Sequence, residues 1–261
     1  MTSAVRSSLQ HLSRLLILLL LGVLALQLYF AARIALMTWI APQSTSFQRS
    51  EAWRLAAEKQ QILWSQQWVD GSAISPQLKR AVIASEDAGF TDHGGVDWDA
   101  MEKAWERNQR EEARLEKRKP RSSAAKATQS AEAPPRPAAK VVGGSTITQQ
   151  LAKNLFLSGE RHFVRKGQEF VLTLMLEALL SKQRILEIYL NQVEWGEGVF
   201  GAQAAARHYF RIDARQLSTS QAARLAVMLP APKRFEKRPS SPYVLSRAAT
   251  IEARMPAVSL P

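Results

Sequence analysis

Cysteine is absent from the 261-residue chain, which excludes disulfide staples and thiolate metal sites and leaves an ordinary packed core to supply stability. Strand-period alternation of useful length is also missing, so a mainly α fold is expected. No internal repeat is visible, which argues against a solenoid. Histidine is scarce, at four residues, and 23 acids face 35 Lys and Arg, for a net charge of +12. That excess requires an anionic partner: nucleic acid, lipid headgroups or a phosphorylated substrate.

The first 14 residues contain no acid but carry Arg6 and Arg14, and an apolar run follows. Residues 15–30 are apolar except for Gln27, and beyond Arg33 the apolar character resumes over 34–40. This length crosses a bilayer with some tilt, with Arg33 able to snorkel at the interface. The positive-inside rule then makes 1–14 a cytoplasmic tail and 15–40 a transmembrane anchor. Residues 41–73 are a juxtamembrane segment and the start of the domain that fills 74–261. A cleaved signal peptide is the rival, but no small-residue cleavage site closes the run. An exported, tethered domain makes nucleic acid the least suitable of the three anionic partners.

The stretch around which the chain is organised is Gly143-Gly144-Ser145-Thr146-Ile147-Thr148-Gln149-Gln150-Leu151-Ala152-Lys153-Asn154. Thr146-x-x-Gln149 reads as a capping box, and N–H groups pointing out of the glycine loop would receive an anion. Thr146, Gln150 and Lys153 fall on one polar face, while Ile147, Leu151 and Leu155 line an apolar one. A plain capped amphipathic helix with a solvated lysine is the alternative.

Upstream, 47–69 is expected to be a helix carrying Trp53, Trp64 and Trp68, the last two sharing a face. Ser75-Pro76 opens another helix through 77–87, in which Leu78, Val82 and Glu86 repeat every four residues. Glu86 therefore continues an apolar stripe, and Asp87 sits at a helix C-terminus where the macrodipole disfavours an acid. A half-buried carboxylate has its pKa raised toward the range useful for proton transfer; acids at a frayed, wet helix end are the alternative. Phe90 and His93 follow in a turn-rich loop, where His93 could orient either acid.

Between 106 and 140 the composition shifts to an insertion with ten Lys and Arg against five Glu. It begins as a charged helix over 106–119, and its later Ser/Ala/Pro/Lys-rich part cannot bury enough apolar area to fold alone. Beyond the organising stretch, Arg165 and Glu169 are four apart in the weaker order for a surface pair, which suggests a cation and an acid aimed at one ligand. Apolar helices are expected over 170–180 and 182–191, a capped one from Ser218 to Pro230, and a last one from Ser241-Pro242 toward Arg254.

Four ordered motifs emerge: Ala84-Ser85-Glu86-Asp87-x-x-Phe90-x-x-His93-Gly94, the organising stretch, Arg165-Lys166-x-x-Glu169, and Lys182-x-x-Ile185-Leu186-Glu187-x-Tyr189-Leu190-Asn191. Together they resemble the peptidoglycan glycosyltransferase family, over about residues 74–232. This family comprises monofunctional biosynthetic transglycosylases and the N-terminal module of class A penicillin-binding proteins. With no room for a transpeptidase domain, the chain resembles the monofunctional branch. The resemblance implies a lysozyme-like, two-lobed helical domain that polymerises lipid II, with release of undecaprenyl pyrophosphate and inversion to a β-1,4 bond.

By the same resemblance Glu86 is the general base and Glu169 a second essential acid. Lys153 and Arg165 neutralise the pyrophosphate, and Thr146, Gln150, Asn154 and Lys166 surround the donor, with Asp87, Phe90 and His93 counted among the substrate-binding residues. No organic cofactor is implied, and a requirement for a divalent cation, Mg or Mn, stays open. The implied partners are lipid II, the growing glycan chain, the membrane, and proteins of wall synthesis or division. The implied location is the bacterial inner membrane, with the catalytic domain on the periplasmic side. The rivals are a membrane-anchored lytic glycosidase and a catalytically silent division scaffold.

Overall fold

A computed structural model describes residues 3–117, 144–157 and 163–261. The Ser/Ala/Pro/Lys-rich part of the insertion, Gly143 and the Arg161-His162 pair lie outside the described residues. The chain begins with α1 (Ser3–Leu36) and α2 (Ser46–Lys59), then β1 (Ser65–Gln66), α3 (Pro76–Glu86) and α4 (Trp98–Lys117). After the break come α5 (Ile147–Phe156), α6 (Phe163–Leu179) and α7 (Lys182–Gln192), followed by the short strands β2 (Glu194–Gly196) and β3 (Val199–Phe200). The chain finishes through α8 (Ala202–Phe210), α9 (Thr219–Met228), α10 (Pro232–Phe235) and α11 (Pro242–Glu252). This is the mainly helical fold expected of a lysozyme-like domain behind an N-terminal apolar helix.

Within α1, Gln10–Leu36 is long and apolar enough to cross a membrane, and none of its most apolar window is buried inside the protein. A core helix would be covered, so this one is left to be covered by something else. The helix stops at Leu36 rather than running to 40. Met37 turns into the core, and Arg184 Nε donates to its carbonyl at 2.7 Å, a cation at the negative end of the helix. The C-terminal half of α1 packs on α6, where Gln27 and Gln168 exchange both amide hydrogen bonds, at 2.9 and 3.1 Å. The polar residue that interrupts the apolar run therefore fastens the apolar helix to the domain.

The expected helix over 47–69 is shorter than its composition suggested. It ends at Lys59, Gln60 takes a left-handed φ of 52°, and the chain runs extended into β1. There Ser65 N–H donates to Gly198 O at 2.8 Å, and β1 pairs parallel to β3 while β2 pairs antiparallel to it. Trp64 stacks on Phe200 at 4.4 Å, whereas Trp68 carries the Arg184 guanidinium over its ring, so the two do not share a helical face. Gly198 is needed at the crossing: at φ +73°, a Cβ there would lie 2.0 Å from Leu63 O. Tertiary pairing overrode helix propensity over these ten residues.

One core joins the helices. The apolar face of α5, Ile147, Leu151 and Leu155, is buried in it, as are Leu78 and Val82 of α3 and most of α7. The α5 helix packs against α2, α6 and α7, and α9 packs against α3 and α11. With α5 held on its neighbours by its apolar stripe, the polar stripe is left facing a cleft.

Candidate active site

The cleft has a volume of about 500 Å³. From α5 and the residues just before it come Ser145, Gln149, Gln150, Lys153 and Asn154, and α6 contributes Arg165, Lys166 and Glu169. The structure thus brings six of the sequence-predicted residues to one cleft: Gln150, Lys153, Asn154, Arg165, Lys166 and Glu169. A second set of lining groups, Phe47 and Ser50 of α2, Val193, Glu194 of β2, Leu229 and Pro232, was not anticipated.

Glu86, the last residue of α3, reaches the cleft through Gln150, whose Nε2 donates to Glu86 Oε2 at 3.0 Å. The amide is itself fixed, because the buried Tyr189 hydroxyl donates to Gln150 Oε1 at 2.9 Å. With its oxygen occupied by a phenol, Gln150 can present only its NH2 to the carboxylate. Burial pushes the Glu86 pKa up; the hydrogen bonds from Gln150 and Ser85 oppose this, and the neighbouring Asp87 charge adds to it. An oriented amide donor and a raised pKa make Glu86 a group that can gain a proton near its working range. Tyr189 was visible in the fourth motif, but only the fold reveals that it acts on Gln150.

The structure corrects the expected anion site at the start of α5. Three of the N–H groups at this helix start are taken by the protein: Ile147 N–H donates to Asp87 Oδ2 at 3.0 Å, Gln149 N–H to Thr146 Oγ1, and Thr146 N–H to Gln149 Oε1. The anion at this helix end is therefore Asp87 itself. Unfavourable by the dipole of α3, Asp87 is favourable by that of α5, which explains its position. Its other oxygen, Oδ1, lies 2.8 Å from His93 Nε2, while His93 Nδ1 accepts from Gly95 N–H at 3.1 Å, which places the ring proton on Nε2. Thr146 closes the circle by donating to Gly95 O at 2.6 Å.

Asp87, His93 and Thr146 thus form a clamp between the loop after α3 and the start of α5, and their bonded atoms face one another instead of the cleft. Phe90 is fully buried, with Lys182 Nζ 4.5 Å above its ring. It belongs to the wall behind the site. The clamp fixes the distance from Glu86 to Gln150. Asp87→Ala would leave the Ile147 N–H and the His93 N–H without partners, and is expected to cost about 1–3 kcal/mol. Thermal unfolding read by circular dichroism checks this.

On α6, Glu169 is nearly buried and bonded on both oxygens, to Lys166 Nζ through Oε1 and to Arg165 Nη1 at 3.3 Å through Oε2. Arg165 and Glu169, expected to meet at a ligand, already hold each other. A divalent cation does not fit this carboxylate as it stands, because two cations occupy the oxygens that would ligate it. Elsewhere Asp87, His93 and Asp97 bring three ligand atoms within 4.8 Å of one another. The clamp hydrogen bonds already engage both Asp87 oxygens and both His93 nitrogens, and Asp97 Oδ1 accepts from Ala100 N–H.

A family model described as Transglycosylase matches residues 54–116 and 124–256. Its break falls inside the basic insertion. The chain is 50% identical over 238 residues to a biosynthetic peptidoglycan transglycosylase of Burkholderia thailandensis, covering 91% of this chain and 83% of that one. It is 47% identical over 239 residues to one of Paraburkholderia xenovorans, covering 91% and 88%. With one of Cupriavidus pinatubonensis it shares 50% identity over 249 residues, covering 92% and 87%. The family model covers most of the chain and the relatives about nine-tenths of it: the chain belongs to the transglycosylase family.

Proposed function

We propose that the chain is a peptidoglycan glycosyltransferase that joins lipid II units into β-1,4-linked glycan. Glu86 takes the proton from the 4-hydroxyl of one disaccharide as that oxygen attacks the anomeric carbon of the other. The bond from the anomeric carbon to the pyrophosphate breaks, and undecaprenyl pyrophosphate leaves with the electron pair. Attack opposite the leaving group inverts the anomeric centre. Lys153, Arg165 and Lys166 receive the diphosphate, while Glu169 holds the last two in place. Pyrophosphate is already a good leaving group, so the second acid is used to position cations rather than to donate a proton.

The observation that carries this reading is the adjacency of Gln150 and Lys153 on α5. One touches a half-buried carboxylate, and the other lines the same cleft as the α6 cations. A glycosidase would want the acid but has no use for three cations placed where a diphosphate would lie. The apolar helix α1 anchors the protein, and the basic tail places the domain on the periplasmic side of the inner membrane, where lipid II and growing chains are handled. Detergent-solubilised protein given fluorescent lipid II is expected to produce long glycan chains. Shortening of finished glycan without polymer formation would instead identify a lytic enzyme, and neither activity in a folded protein would identify a scaffold.

A further inference from the structure

Glu194 stands in the wall of the cleft built by α2, β2 and α10, and only about 6% of the residue is exposed. A β-bulge between Glu194 and Gly196 interrupts the pairing of β2 with β3 at this point, a device that re-aims a side chain. Among its neighbours Lys233 is the natural partner, but Lys233 makes its closer contact, 2.5 Å, with Glu51 and stands 3.5 Å from Glu194 Oε1. That oxygen is buried and has no hydrogen-bond partner. A buried carboxylate oxygen left without a donor costs stability. Burial, with Glu51 and Glu236 adding to it and Lys233 opposing, raises the Glu194 pKa to about 7. The protein carries this cost in the wall of the cleft.

We propose that Glu194 is a substrate-binding residue of the cleft, its carboxylate accepting a hydrogen bond from a hydroxyl or acetamido N–H of the bound glycan. The inference rests on the glycosyltransferase reading given above. The cleft itself divides the ligand: α5 and α6 contribute Lys153, Arg165 and Lys166, which suit phosphate, whereas the other lining residues on the Glu194 side, Phe47, Ser50, Val193, Leu229 and Pro232, are uncharged, and the nearby Lys233 is paired with Glu51. An acid there would repel a diphosphate and favours the sugar portion. Phe47, Val193 and Leu229 beside it offer apolar faces on which a sugar ring can rest. The groups that set the charge of Glu194 are Glu51 from α2 and Lys233 and Glu236 from α10 and its C-terminal end; the α5 and α6 cations and Glu169 line the same cleft.

The test measures lipid II binding by full-length protein in detergent, in a Glu86→Gln background so that no turnover intrudes. Adding Glu194→Ala is expected to weaken binding about 10–100-fold at pH 8, the contribution of a hydrogen bond to a charged group. Adding Glu194→Gln should remove the tightening of binding that the reference protein shows as pH rises from about 6 to 8, when the acid ionises. If Glu194→Ala fails to fold, the near-isosteric Gln variant alone decides the matter through that pH dependence. Unchanged affinity in a folded Ala variant, or an unchanged pH dependence in the Gln variant, would overturn the proposal. A reference protein that binds no lipid II would instead sink the glycosyltransferase reading beneath it.

Discussion

Glu86→Gln is expected to lower the rate of lipid II polymerisation by about 10²–10⁴, the usual contribution of a general base. The substitution keeps the shape and still offers Gln150 an oxygen to bond, so the clamp behind it and the cleft beside it stay as they are. Stability should hold or rise slightly, because burial is what penalises the charged form of Glu86 and an amide avoids that penalty. The parent enzyme should also reveal the base through pH. Glu86 is active when ionised, and burial raises its pKa, so turnover should climb with pH along a limb displaced above the ordinary carboxylate range. Below that limb the base is protonated and the rate falls. Initial rates of fluorescent glycan formation, measured from about pH 4 to 9 for parent and variant, give both results. Activity within tenfold of the parent in the variant would remove Glu86 from the role of base.

Glu86 and α5 were legible in the sequence because their signals are local. The four-residue repeat Leu78, Val82, Glu86 puts an acid on an apolar stripe, and the capping box and apolar face of α5 lie within ten residues. Asp87 was half legible. Its misfit with the dipole of α3 was visible, but its remedy is Ile147, 60 residues away, and only the fold brings the two together. For the same reason the helix start looked open to a substrate anion when it already held one. Phe90 and His93 belong to motifs that signal a site, yet their partners are Lys182, Asp87 and Gly95, so they support the site from behind. Glu194 gave no sequence signal at all: its burial comes from α2 and α10 closing over β2, and neither periodicity nor motif reports such a contact.

Lys153→Ala is expected to reduce kcat/KM for lipid II by about 10²–10³, comparable to the loss of one donor from a preorganised electrostatic site. The side chain projects from the polar face of α5 one turn beyond Gln150, into the cleft shared with Arg165, Lys166 and Glu169. Lipid II already carries a charged diphosphate when it binds, so part of the loss should fall on KM. The departing pyrophosphate gains a further negative charge as the bond to the anomeric carbon breaks, so kcat should fall as well. A fixed charge pair about 4 Å apart at a protein surface is worth about 4 kcal/mol at an effective dielectric constant of 20. That is large enough to account for the whole expected effect without any new contact. Lys153→Arg, which keeps the charge but changes its shape, should recover a substantial share, because the diphosphate needs a cation more than a particular donor geometry. Steady-state rates at several lipid II concentrations separate the two components. A loss confined to KM would make Lys153 a binding residue only, and an Ala variant within a few-fold of the parent would remove the cation from the leaving-group site altogether.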